Sequence, residues 1–219
     1  MKKSERMKYL KILLLFLCTT TVVFGQNDVR SQTILKRLSK NYKTYKTIQA
    51  NVAFTIDNKK ENIKENQKGK VIMKGDKFRL ELGEQTLISD GKSLWAYLKE
   101  SNEVTISPFE PMEGELSPTN LFTIYEKGFE SYYIGETNRG KNKVHNIDIV
   151  PTDKKKSYFK IRLVIDRQKE QIVQAVVFDK NGTLYTYDIQ NFATNIAVAD
   201  TQFGFDKAKY PGVEVVDLR

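Results

Sequence analysis

The side chains that could do acid–base or covalent chemistry are few, and their spacing assembles none of the usual devices. One His, His145, and one Cys, Cys18, occur in 219 residues. A single His rules out a His-based metal site or a two-His mechanism. A single Cys rules out a disulfide framework and a Cys-rich zinc site. His145 shares strand parity with Ile147 and Ile149, so it reads as a buried or edge histidine rather than a general base. Asp148, Asp166, Asp179 and Asp188 fall in separate strands or at strand ends, and no spacing marks two of them as an acid–base pair. Lys154-Lys155-Lys156 reads as a solvated hairpin tip rather than an anion site. No glycine-rich phosphate loop, Gly-x-Ser-x-Gly elbow or metal-ligand spacing is present. No cofactor or metal is implied, and the chain is expected not to be an enzyme.

The elements around these residues are more informative. Ile34, Leu35, Leu38, Tyr42 and Tyr45 make one apolar face over Val29 to Tyr45, which predicts an amphipathic helix of about four turns. From Ala50 the period changes to two. Val52, Phe54 and Ile56 alternate with polar or small residues, as do Phe78, Leu80 and Leu82, then Ile161, Leu163 and Ile165, and later Tyr185, Tyr187 and Ile189. Turn signals such as Lys74-Gly75-Asp76, Asp90-Gly91 and Asn181-Gly182 separate them. About ten to eleven strands follow, too closely spaced for parallel crossovers, so one antiparallel sheet is expected.

Two segments interrupt the pattern. Asp57 to Lys68 is polar and reads as a solvated hairpin tip. Ser107 to Ser117 is acidic and Pro-rich, and Ser117-Pro118 then opens a short apolar stretch, Leu121, Phe122, Ile124 and Tyr125, closed by Gly128. Ser at an N-cap with Pro at the next position predicts a short helix there. A sheet of this size must curl, and its interior exceeds what its own side chains readily fill. A ligand cavity lined by Val52, Phe54, Ile56, Phe78, Leu80 and Leu82 is one solution; a filled core under two helices is the other.

The N-terminus has its own logic. Lys2, Lys3, Arg6, Lys8 and Lys11 face a single Glu5 and precede an apolar run from Ile12 to Phe24. A charged start, a short apolar core and a small-residue exit at Gly25 predict a cleaved signal peptide over 1–25 and export. The run is shorter than the roughly 20 residues of a membrane span. Leu17 before Cys18 makes a poor lipidation site. The net charge of +9 loses +4 with this segment, which weakens any nucleic-acid reading. Residues 26–219 are expected to form a single thiol-free domain.

The run Ser89-Asp90-Gly91-Lys92-Ser93-Leu94-Trp95-Ala96-Tyr97 resembles the S-D-G-K-x-L-W-x-Y hairpin of the LolA family of periplasmic lipoprotein carriers. The Phe78-Arg79-Leu80-Glu81-Leu82 strand precedes it at the family's spacing. Phe203-Gly204-Phe205 and Pro211-Gly212-Val213-Glu214-Val215-Val216-Asp217 resemble the family's closing segment. The resemblance implies a mainly β, incomplete antiparallel barrel with a helical lid. It implies a monomeric carrier that encloses the acyl chains of triacylated lipoproteins, between an inner-membrane ABC transporter and an outer-membrane acceptor. It puts Phe78, Leu80 and Leu82 on the cavity lining, with Phe78 at the family's cargo-accepting Phe, and Leu121, Phe122, Ile124 and Tyr125 in the lid. Trp95 and Tyr97 match the hairpin, either as cavity wall or as structural core. The family's Lys-Arg-Pro turn, whose Arg latches the lid, is matched here by Lys74-Gly75-Asp76, so that latch is missing. A carrier or sensor of another lipid on the same fold is the second reading.

Overall fold

Twelve strands hydrogen-bond into one sheet that does not close on itself. The computed structural model describes residues 28–110, 117 and 119–219. The expected signal peptide, Cys18, the acidic residues Glu113 and Glu115, and Pro118 lie outside the described residues.

Among the described residues helix α1 (Val29–Tyr42) comes first. It is capped by Asp28, whose carboxylate accepts from the backbone N–H of Arg30 (2.9 Å) and of Tyr133 (3.1 Å). One cap therefore starts the helix and ties it to the sheet. The helix ends three residues short of Tyr45, where Lys43 N–H bonds back to Ser39. Strands β1 (Ile48–Asn58), β2 (Ile63–Lys74), β3 (Lys77–Leu82), β4 (Gln85–Ser89), β5 (Ser93–Leu98) and β6 (Glu103–Pro108) form one antiparallel meander. Strands β7 (Phe129–Arg139), β8 (Asn142–Pro151), β9 (Tyr158–Asp166), β10 (Gln171–Asp179) and β11 (Leu184–Thr194) form a second. Pairing of β1 with β11, from Ile48↔Thr194 to Asp57↔Leu184, fuses the two. Strand β12 (Glu214–Asp217) then adds parallel to β6.

The strand count exceeds the ten to eleven expected, and the sheet is not wholly antiparallel, because of this short terminal strand. The polar stretch 57–68 is also mostly strand rather than loop. From Lys59 on its side chains are exposed, but backbone pairing from Asp57↔Lys64 onward needs no apolar residue. At Gly69 the β2 and β3 backbones approach so closely that a Cβ would sit 2.0 Å from the Glu81 carbonyl oxygen. Only glycine fits there.

This topology dictates a lid. Strands β6 and β7 lie toward opposite margins of the sheet, and of the residues between them Ser117 and the described stretch 119–128 lie over the unclosed side. The concave face is covered in two parts. Over β7–β10, Ile34, Leu35, Leu38 and Tyr42 of α1 are buried against Ile147, Ile149, Ile161, Leu163 and Ile165. A fully buried side chain such as Leu38 contributes roughly 1.5–3 kcal/mol. That half is a filled core. Over β1–β4 the cover is the bridging segment, and it leaves space.

Candidate functional site

The space is an apolar cavity of about 210 Å³. Ala50, Val52 and Phe54 of β1, Val71 of β2, Leu80 and Leu82 of β3, Leu87 of β4 and Tyr187 and Ile189 of β11 form its wall, and Ser117, Leu121 and Phe122 form its roof. Period-two alternation places Val52 and Phe54 on one face, and the register Phe54↔Tyr187 and Val52↔Ile189 sets the β11 side chains beside them. The Phe54 and Tyr187 rings lie 4.9 Å apart, and Phe54 stacks on Tyr185 at 6.3 Å. Burial moves the pKa of the Tyr187 phenol up to about 12, with the neighbouring Tyr185 adding to it, so that hydroxyl stays neutral across physiological pH. Among the described residues nothing charged lines the cavity, and its polar groups are the hydroxyls of Ser117 and Tyr187. It can enclose hydrocarbon.

The roof is a capped turn followed by a single 3-10 turn (Ile124–Glu126), not the α-helix that Ser117-Pro118 predicted. Ser117 N–H donates to Asn120 Oδ1 (2.7 Å) and Asn120 N–H to Ser117 Oγ (3.2 Å). This reciprocal pair starts a helical turn. The turn does not continue because Thr123 leaves helical geometry and Lys127 is extended. Contacts with α1 and β11 hold the roof down, Phe122 meeting Phe192 of β11 edge-on with ring centres 5.7 Å apart. Phe122 stacks on Tyr42 of α1 with ring centres 4.5 Å apart. The Glu126 carboxylate accepts from the Ser39 hydroxyl and from Lys43 Nζ (3.0 Å). Burial pushes the Glu126 carboxyl up, but the hydrogen bonds from Ser39 and Lys43 outweigh it and leave it below the usual carboxylate range. Gly75, where the family's latch would stand, instead occupies the β2–β3 turn at φ +57°. This lid is therefore tied to α1 through Glu126 and Phe122.

The expected site residues separate into three groups. Val52, Phe54, Leu80, Leu82, Leu121 and Phe122 meet in the cavity. Ile56 continues the β1 face beyond it, half-buried. Phe78, 2% exposed, belongs to the packed core and touches Phe109 with rings 5.6 Å apart. Ile124 and Tyr125 are buried beneath the roof in the same core. Trp95 and Tyr97 are not cavity residues. They pack on the convex side with Val104, Phe205, Tyr210 and Val213, and the Tyr97 and Tyr210 rings are 4.5 Å apart. Leu94, one residue away, points to the concave core, so strand parity turns the hairpin aromatics outward. They fasten the C-terminal segment to β5 and β6. The wall residues missed by sequence reasoning, Ala50, Val71, Leu87, Tyr187 and Ile189, follow from strand pairing; Tyr187 and Ile189 already showed the period-two signal.

His145 is buried with its Nδ1 3.1 Å from the Tyr133 hydroxyl and 3.6 Å from Glu136. Burial holds its pKa below the ordinary His value; Glu136 opposes this, and Arg30, Arg167 and Arg37 reinforce it. Among the described residues no cluster of His, Cys, Asp and Glu could hold a metal ion. No helix among them is long and apolar enough to cross a membrane.

Residues 43–206 match the family described as outer membrane lipoprotein carrier protein LolA. An uncharacterized protein of Methanocaldococcus jannaschii is 26% identical over 208 residues, covering 90% of this chain, and the chain spans 58% of the length of that relative. Among solved structures, an uncharacterized conserved protein from Thermus thermophilus superposes with a TM-score of 0.58 at 17% identity, over 86% of this chain and 99% of the other. A LolA superfamily protein from Nitrosomonas europaea gives a TM-score of 0.43 at 12% identity, over 80% of this chain and 98% of the other.

Proposed function

The chain belongs to the LolA family of outer membrane lipoprotein carriers, and on that premise we propose that its cavity encloses the acyl chains of lipoproteins and carries them through the periplasm. The observation that supports this is the cavity itself, a largely hydrocarbon-lined space with no charged side chain among its described lining residues, under a lid fastened to α1 and β11. Moving an acyl chain across water costs about 0.8 kcal/mol per exposed CH₂, so a carrier has to shield it. The protein acts without catalysis: it receives triacylated lipoprotein from an inner-membrane ABC transporter and passes it to an outer-membrane acceptor.

A cavity of roughly 150 Å³ accommodates benzene. At about 210 Å³ the space accepts a segment of one chain, so loading a triacylated anchor requires the lid to lift. Lifting it breaks the Glu126 contacts with Ser39 and Lys43 and separates Phe122 from Tyr42 and Phe192. The test is mass spectrometry of what the protein retains when it is expressed in the periplasm and purified without detergent. Triacylated peptide is expected. Free glycolipid or phospholipid alone would move the cargo assignment to another lipid, and a chemically altered lipid would reinstate an enzyme.

A further inference from the structure

Three hairpin tips stand side by side at one end of the sheet. The ladder ends Asp57↔Leu184 and Asp179↔Tyr158 bring together the β1–β2 tip, the β10–β11 turn and the β8–β9 turn. Each carries lysine: Lys59 and Lys60, then Lys180, then Lys154, Lys155 and Lys156. The row is continuous. Lys180 Nζ donates to the Lys154 carbonyl oxygen at 2.6 Å, and a Cβ at Gly182 would sit 3.8 Å from Lys60 Cε. The same tips hold three acids, Glu61, Asp153 and Asp179. Two of these are turned to the backbone, Asp153 accepting from Lys155 N–H (2.9 Å) and Asp179 from Asn181 N–H (3.0 Å). Six lysines against three acids leave the row net positive.

Two large apolar side chains flank it in the open. Ile63, 42% exposed, opens β2 at the first tip. Phe159, 51% exposed, sits where the β9–β10 register shifts, and its ring lies 6.0 Å from that of Phe178. Along β1 the cavity wall runs toward this end. It goes from the buried Ala50 through the half-buried Val52, Phe54 and Ile56 to the tip.

We propose that this end of the sheet docks on the surface of an anionic bilayer, with the lysine row against the headgroups and Ile63 and Phe159 entering the interfacial layer. Lysine suits a diffuse, laterally extended negative surface, since its ammonium is a mobile point charge on a long stem. Exposed apolar side chains beside such a row add the interfacial component that a purely electrostatic contact lacks. A nucleic acid or an acidic protein would use the charge and leave Ile63 and Phe159 in water. The inference stands on charge, exposure and placement, whatever the cavity holds. Its consequence for the carrier is that the open end of the wall faces the membrane.

The experiment is flotation of the protein with vesicles of phosphatidylcholine alone and of phosphatidylcholine mixed with phosphatidylglycerol. Partition is expected only into the mixed vesicles and is lost at high salt. Lys154→Gln with Lys155→Gln should weaken it about thirty-fold, at the energy per lysine expected near an anionic surface. Phe159→Ser should weaken it further, and Lys141→Gln with Lys169→Gln, in turns at the opposite end, should leave it unchanged. No partition into mixed vesicles, equal partition into both kinds, or equal loss in the opposite-end variant overturns the proposal. Uptake of a fluorescent fatty acid by the same variants reads the cavity separately. Normal uptake without vesicle binding refutes only the docking surface, and vesicle binding without uptake refutes only the cavity.

Discussion

Replacing Tyr125 by Phe should stabilise the protein and slow the exchange of whatever the cavity holds. Tyr125 lies beneath the lid, 8% exposed, and its hydroxyl is buried with no hydrogen-bond partner among the described residues. Burial drives its pKa far above the ordinary phenol value, with Tyr42 and Glu126 adding to the effect, so ionisation offers no escape. An unpaired buried hydroxyl costs about 1–3 kcal/mol, and exchanging it for hydrogen leaves ring packing intact with no cavity created. With some residual exposure, the lower part of that range applies, about 1–2 kcal/mol. For a domain of this size that corresponds to a thermal midpoint raised by about 2–8 °C. When the lid lifts, the hydroxyl reaches water and the penalty vanishes, so the native Tyr favours opening relative to Phe. The same free energy should slow release of a fluorescent fatty acid by about five- to thirty-fold where opening limits release. Differential scanning fluorimetry and stopped-flow displacement read the two quantities. A lowered or unchanged midpoint would mean that the hydroxyl is satisfied, and a raised midpoint with unchanged release would mean that Tyr125 does not move with the lid.

Two further expectations come from the same geometry. Leu80→Asp, in the half-buried wall, should abolish lipid retention while circular dichroism shows the fold kept; Phe78→Glu, 2% exposed in the packed core, should instead unfold the protein, and the opposite ranking would refute the assignment of Leu80 to the cavity and Phe78 to the packed part of the same face. His145, with its folded pKa depressed, binds fewer protons than in the unfolded chain, so stability should fall as pH drops below about 6.5 toward that depressed value. Urea midpoints at pH 7 and pH 5 should show this loss, and His145→Gln should remove it.

The fold was readable where side-chain period decides structure. The α1 face, the long strands β1, β9, β10 and β11, and the apolar wall at Val52, Phe54, Leu80 and Leu82 all express a regular alternation. What escaped is non-periodic. Residues 64–68 pair mainly through backbone, so their polar side chains disguised a strand. Trp95 and Tyr97 alternate as cavity residues would, and only the partner across the sheet, the segment through Phe205, Tyr210 and Val213, decides which face they serve. The lid was legible as a segment but not in its form. It follows from β6 and β7 lying toward opposite margins of the sheet, a relation between distant elements that no local window contains. Its fastening by Glu126 to Ser39 and Lys43 likewise joins residues more than 80 positions apart.

The gap between β12 and β7 has a mechanical meaning. In a closed barrel the number of strands and their stagger fix the radius, and the lumen cannot widen without breaking a ring of hydrogen bonds. Here the hoop is cut. A few degrees of change in twist at each pairing adds up over twelve strands, so the wall can unroll like a leaf spring while every ladder bond is kept. The size of cargo is then limited by the bending stiffness of the sheet and the reach of its cover, not by a fixed bore.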